Sequence, residues 1–72
     1  MPKLPVLTPK KLVKILCKIV FYIHHQTGSH INLRHNTKSN LHVVIPYHAR
    51  DLAPKTLKSI IIQADISIDD LL

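Results

Sequence analysis

The apolar residues of this chain change their spacing twice, and this change limits the folds that the chain can adopt. Residues 12–20 place apolar side chains three or four positions apart, which is the spacing of an amphipathic helix. Residues 30–35 then alternate between polar and apolar side chains, as in a half-buried β-strand. Residues 57–64 return to helical spacing. We therefore expect a helix near each end of the chain and strands between them.

Capping and turn residues predict where these elements begin and end. Thr8 followed by Pro9 is typical of a helix start, because the hydroxyl caps the first turn and proline suits the first helical position. Gly28 tolerates the positive φ of a tight turn. Pro46 ends a strand because it lacks an N–H donor. We predict strands at Phe21–His25, His30–His35 and Leu41–Ile45, a turn at 26–29, a polar loop at 36–40, and a second helix from about Pro54.

The predicted order is α-β-β-β-α, an α+β fold in one domain that covers residues 1–72. The simplest packing is a three-stranded antiparallel sheet with two helices on one face. His30, Asn32 and Arg34 then point away from the helices, and this face of the sheet is free to meet a ligand. Ser67 is expected to cap a final turn that contains Asp69 and Asp70.

Positive charge is concentrated in the first half of the chain. Residues 1–40 contain seven Lys and Arg and no acidic residue, whereas residues 41–72 contain three basic and four acidic residues. Four lysines fall on the helix side opposite the apolar stripe, and we call them the lysine ridge: Lys10, Lys11, Lys14 and Lys18. Together with Arg34 they are candidate contacts for the phosphates of a nucleic acid. The alternative is an ordinary solvated helix face.

Several classes of protein do not fit this sequence. The single cysteine, Cys17, cannot form an internal disulfide and is expected to pack rather than react. The longest apolar run, 19–23, is too short to span a membrane, and no signal-peptide pattern opens the chain. We therefore expect a cytoplasmic protein that does not bind a membrane. Paired carboxylates before Asp51 and a glycine-rich phosphate loop are both missing. Three aromatic residues are few for a base-stacking platform.

All six histidines lie between positions 24 and 48. Their spacing matches no zinc motif, and we expect neither a metal nor another cofactor. Acid–base chemistry is the stronger hypothesis, because histidine exchanges a proton near neutral pH. His30 is the best candidate, since it follows the Gly28-Ser29 turn and shares a strand face with Arg34. The alternative is that His30 only packs at the end of a hairpin.

Several segments in register resemble HicA-type mRNA interferase toxins. They are Leu7-Thr8-Pro9-Lys10 with the helix that follows, Gln26-Thr27-Gly28-Ser29-His30, Val44-Ile45-Pro46-Tyr47-His48, and the pattern from Leu52 to Ser67. The resemblance covers nearly the whole chain. It implies a fold like that of double-stranded-RNA-binding domains, cleavage of mRNA, and neutralisation by a HicB-type antitoxin. It also implies that His30, the histidine of Gly-Ser-His, is catalytic, while His48 belongs to the family pattern Pro-x-His.

This sequence departs from the family pattern at three positions. Members commonly have glycine where this chain has Val20, Lys55 and Asp65. Val20 and Asp65 fall at helix C-termini, where glycine relieves a left-handed conformation. Valine is poor in that conformation and aspartate is tolerable. Either the first helix ends differently here, or the protein loses some stability.

The leading hypothesis is an endoribonuclease toxin that needs no metal. Gly28 and Ser29 would shape the turn that presents His30 as base or acid, and His48 could supply a second proton-transfer group. The lysine ridge and Arg34 would hold the phosphates of the mRNA substrate. Two alternatives remain open, a non-catalytic RNA-binding module and a decayed toxin that only binds its antitoxin.

Overall fold

The computed structural model describes residues 4–38 and 40–72. Residues 1–3, and Ser39 of the predicted 36–40 loop, lie outside this part of the chain. The elements follow the predicted order: α1 (Pro9–Ile19), β1 (Phe21–Thr27), β2 (His30–His35), β3 (His42–Pro46), α2 (Pro54–Ala64) and a 3₁₀-helix (Ile68–Leu71). The predicted α+β fold is confirmed.

The three strands form an antiparallel sheet in the order β1-β2-β3. The buried apolar residues of the strands lie on one face of the sheet and meet the apolar sides of both helices in one core. α1 packs against β1 and β3, and α2 packs against β3. The two helices therefore cover one face of the sheet, with these core residues between the layers: Leu12, Leu16, Phe21, Ile31, Leu33, Val43, Ile45, Leu57, Ile60 and Ala64.

The other face of the sheet carries no helix, and we call it the open face. Strand pairing arranges its residues in three rows across the sheet. From the end that bears the β1–β2 turn, the rows are Thr27 with His30 and Pro46, His25 with Asn32 and Val44, and Tyr22 with Arg34 and His42. A β-bulge between Ile23 and His25 adds His24 to the edge strand β1, which pairs with β2 alone.

Two of the strands differ from the sequence prediction in their boundaries. The first strand does not end at His25 but continues to Thr27, so the turn contains only Gly28 and Ser29. The bulge adds one residue to β1, and pairing of Gln26 with Ile31 and of Thr27 with His30 then extends the ladder. The third strand runs from His42 and includes Pro46, which an edge strand tolerates.

The helix ends explain two of the departures from the family pattern. α1 begins as predicted, with Thr8 Oγ1 accepting from the Lys11 N–H at 3.3 Å. After α1, Val20 has φ −155°, so this helix ends without the left-handed residue that glycine would suit. After α2, Asp65 has φ 56° and ψ 44°, which is the left-handed conformation. Asp65 therefore has the conformation expected at this position, and Val20 does not.

Candidate functional site

The β1–β2 turn holds His30 at one end of the sheet. Gly28 has φ 53°, and a Cβ built at this position would meet no atom within 4 Å. The glycine is therefore needed for its backbone conformation and not for space. The Tyr47 N–H donates to the carbonyl oxygen of Ser29, which ties the segment after β3 to this turn. The predicted role of Gly28 in the turn geometry agrees with this conformation.

His30 is the first residue of β2 and is exposed on the open face. Its neighbours across the sheet are Thr27 and Pro46. Ser29 Oγ lies 3.5 Å from Nδ1 of the ring, a long contact that orients the imidazole only weakly. The ring is thus accessible to a ligand, at the end of the sheet where the segment Tyr47–Ala49 begins.

A shallow cavity of about 410 Å³ lies beside this end of the sheet. It is lined by Thr8 and Lys10 from the start of α1 and by Tyr47, His48 and Ala49. The His48 ring is fixed by the Arg50 N–H, which donates to Nδ1 at 3.2 Å. Because Nδ1 accepts this bond, the neutral ring carries its proton on Nε2. His48 is therefore a hydrogen-bond donor in its neutral form.

The basic residues predicted to bind phosphate lie on two different surfaces. All four lysines of the lysine ridge are exposed on α1, and Lys10 also lines the cavity. Arg34 lies on the open face, half-buried, between Tyr22 and His42. Since α1 packs on the opposite face of the sheet, the sheet separates Arg34 from the ridge. His30 and Arg34 share one face, as the alternation predicted.

The remaining histidines separate into structural and surface groups. His35 caps the loop after β2, because its Nδ1 accepts from the N–H groups of Thr37 and Lys38, and its ring packs edge-on against Phe21. His42 Nε2 lies 3.0 Å from Oδ1 of Asn32, which is buried although it belongs to the open face. The sequence alternation did not predict this buried amide, since it depends on a partner ten residues away.

The bulge brings His24 and His25 together, with 2.8 Å between their Nδ1 atoms. The pKa of His24 is lowered from its ordinary value, first by desolvation of the ring and then by the positive charges of Arg34, His25 and His42. These four side chains therefore form one electrostatic cluster. The adjacent histidines were visible in the sequence, but strict alternation would have placed them on opposite faces.

Among residues 4–38 and 40–72, no three His, Cys, Asp or Glu side chains come together as metal ligands. Cys17 is a free thiol on the exposed side of α1, so the prediction that it packs in the core was wrong. Partial desolvation raises the pKa of its thiol. In the same part of the chain, neither helix has the length and apolar character that a membrane span requires.

Comparison with known proteins agrees with the resemblance seen in the sequence. No match to this chain was found among the curated proteins. A family model described as "HicA toxin of bacterial toxin-antitoxin" matches residues 9–66. The match covers most of the 72 residues and includes the β1–β2 turn, the whole sheet and both helices. The chain therefore belongs to the HicA toxin family of bacterial toxin–antitoxin systems.

Proposed function

We propose that this protein is an mRNA interferase, an endoribonuclease toxin that acts in the cytoplasm as a single domain. The observation that carries the proposal is His30, which occupies the histidine position of the Gly-Ser-His motif in a chain that belongs to the HicA family. The exposed position of the ring at the start of β2 supports this role, because an acid–base group must reach the substrate.

The proposed reaction is attack of a ribose 2′-hydroxyl on the adjacent phosphate. His30 removes the hydroxyl proton as the 2′-oxygen bonds to phosphorus. The bond from phosphorus to the 5′-oxygen of the next nucleotide breaks, and His48, as the second proton-transfer group, gives that oxygen a proton. The products are a 2′,3′-cyclic phosphate and a 5′-hydroxyl. The Nε2–H of His48 can donate to a phosphate oxygen, and Lys10 beside it supplies positive charge. Ser29 contributes mainly to the turn that presents His30, since its 3.5 Å contact with Nδ1 orients the ring only weakly.

The lysine ridge and Arg34 are proposed phosphate contacts, and their separation on the molecule makes each testable. Replacing a residue that contacts phosphate in single-stranded RNA reduces the slope of log affinity against log salt by about 0.7. Lys14→Gln and Lys18→Gln test the ridge away from the cavity. An unchanged slope in both variants would remove this part of α1 from the RNA site.

The second partner is proposed to be a HicB-type antitoxin, which would neutralise the toxin by covering His30 and its surroundings. Direct obstruction of the acid–base group is the simplest way to block substrate. In a complex of the two proteins, hydrogen exchange of the β1–β2 turn and of Tyr47–Ala49 should slow. Full exposure of His30 in that complex would contradict this mode of inhibition.

The experiment that tests the nuclease is RNA cleavage by purified protein, comparing wild type with His30→Ala. Loss of an acid–base group reduces the rate by about 10²–10⁴-fold, so His30→Ala should cleave at least about 100-fold more slowly. Lys58→Ala, on the exposed side of α2, is the matched control. The chelator EDTA should leave the rate unchanged, and end-group analysis should find a cyclic phosphate.

Two outcomes would favour the other readings of this chain. Tight RNA binding without cleavage by the wild type would indicate a non-catalytic RNA-binding module. Antitoxin binding with neither RNA binding nor cleavage would indicate a decayed toxin. Induction in growing cells, with wild type beside His30→Ala at equal soluble protein, then separates toxicity that needs His30 from toxicity that does not.

A further inference from the structure

The proposed proton transfers use only one end of the open face, at His30. This face extends from the row of His30 at one end to the row of Arg34 at the other. His30 and Arg34 are four residue steps apart along β2, or roughly 13 Å at about 3.3 Å per step.

The charge of the open face is complementary to a polyanion. Arg34 lies on the central strand between Tyr22 and His42, and its positive charge contributes to the lowered pKa of His24. No acidic residue precedes Asp51 in the sequence, so none of the three strands carries a carboxylate. In the described residues, the buried Nε of Arg34 has no hydrogen-bond partner. The guanidinium is therefore not committed to an acceptor within the sheet.

Flat side chains on the same face suit the bases of a single strand. Tyr22, beside Arg34, is 44% exposed, and the rings of His24 and His25 meet edge to face with 5.0 Å between centroids. Tyrosine and histidine rings both stack on unpaired bases. Three aromatic residues are few for a stacking platform of the usual kind, but the bulge adds two imidazoles to this surface.

We propose that single-stranded RNA lies across the open face, from Arg34 to His30, and reaches the catalytic turn along β2. The proposal rests on the nuclease function proposed above, which names RNA as the ligand and His30 as the end of the path. It predicts that Arg34 and the neighbouring rings contribute more to RNA affinity than Lys14 and Lys18 of the lysine ridge do.

The test is affinity for a single-stranded 2′-O-methyl RNA oligonucleotide, which lacks the attacking hydroxyl and stays intact. Arg34→Gln should weaken binding about tenfold and lower the salt slope by about 0.7. The double variant His25→Gln/His42→Gln, at two exposed positions, should also weaken binding several-fold. Lys58→Gln, which removes the same charge from α2, should change affinity less than twofold.

Other outcomes overturn the proposal. It fails if Lys14→Gln/Lys18→Gln weakens binding more than Arg34→Gln does, because RNA would then lie on α1. Amide chemical shifts of the wild-type protein map the RNA-binding surface independently, because this measurement does not require that any variant fold. On addition of the oligonucleotide, the largest changes should fall in β1–β3, and changes confined to α1 would again contradict the proposal.

Cleavage of unmodified RNA separates this inference from the nuclease itself. If both are correct, Arg34→Gln raises KM about tenfold and leaves kcat nearly unchanged, while His30→Ala lowers kcat. If the wild type never cleaves RNA but its RNA binding depends on Arg34, the nuclease function is contradicted and RNA binding across the open face is supported. If Arg34→Gln cleaves RNA with the same KM as the wild type, the nuclease function is supported and RNA binding across the open face is contradicted.

Discussion

Asp65 and Val20 show how a single residue decides the way a helix ends. After α2, the Ile66 N–H donates to the carbonyl of Ile61 at 3.3 Å across the left-handed Asp65, which is the Schellman pattern. After α1, the Val20 N–H continues to Leu16 at 3.3 Å with φ negative. A glycine would therefore relieve strain at one of these positions and only remove side-chain packing at the other.

Asp65→Gly should stabilise the protein. A left-handed conformation is unfavourable for a residue with a Cβ, and its removal should raise the free energy of unfolding by about 0.5–1 kcal/mol. Val20→Gly should lower it, because Val20 packs against the core and has no left-handed conformation to relieve. Urea denaturation of the two variants measures both changes. Equal effects of the same sign would contradict the assignment of the two helix ends.

The His24 cluster predicts a pH dependence of stability. Its pKa is lowered below the ordinary 6.5, so the unfolded chain binds this proton more readily than the folded chain. The contribution of His24 to the free energy of unfolding should therefore fall as the pH drops below about 6.5 and level off below the folded-state pKa. Because the ring is exposed, added salt should weaken the part that comes from neighbouring charges.

The cause of this shift can be tested separately by NMR titration of the histidine rings. Arg34→Gln removes one of the named charges and should move the His24 pKa back toward its ordinary value. Lys58→Gln should leave it in place. A His24 pKa at or above its ordinary value in the wild type would show that the cluster does not exist in solution.

At the scale of elements, the two helices start differently. α1 begins with a threonine whose side chain accepts a backbone N–H, whereas α2 begins after Ala53, which has no side-chain acceptor. Both helices have proline in the first turn, so the proline alone does not distinguish them. α2 therefore keeps one more N–H that only water or a new side chain can satisfy.

Ala53→Asp should stabilise α2 and with it the domain. A capping carboxylate satisfies an N–H of the first turn and interacts well with the helix dipole, and alanine at this position costs about 0.5–2 kcal/mol by comparison. Thr8→Ala should lose a similar amount at α1. Thermal and urea unfolding measure both variants, and no gain from Ala53→Asp would mean that Ala53 is not the residue before the first turn.

Particular residues show which parts of this architecture followed from the sequence. Helix starts at Pro9 and Pro54, the faces of β2, and the final turn, where Ser67 N–H donates to Asp70 Oδ2 at 2.9 Å, all depend on local rules and agree with prediction. The bulge at His24 and the contact of His42 with Asn32 depend on pairing between distant strands. Neither leaves a local mark, so the cluster around Arg34 was not predicted.

At the scale of the whole molecule, one core holds the sheet and both helices together. A 72-residue domain has a free energy of unfolding of only about 4–11 kcal/mol at roughly 0.05–0.15 kcal/mol per residue. Leu33, on the central strand and fully buried, lies between the helices and the sheet. The free energy lost when one such side chain is removed is therefore a large fraction of the free energy of unfolding of the whole domain.

Leu33→Ala should therefore come close to unfolding the protein. Replacing a buried leucine by alanine costs about 2–5 kcal/mol, through lost burial and the cavity that remains. Ile62→Ala, where the side chain is 71% exposed, should change the free energy of unfolding by less than about 0.5 kcal/mol. Urea titration followed by circular dichroism compares them, and similar midpoints for the two variants would argue against this core.

The bulge in β1 also affects the tendency of the protein to aggregate. β1 is an edge strand, and an edge with regular N–H and C=O groups is a template on which another chain can add a strand. The extra residue at His24 interrupts that row and twists the strand locally. The irregularity that gathers the histidines on the open face thus also discourages these toxin molecules from joining edge to edge into fibres.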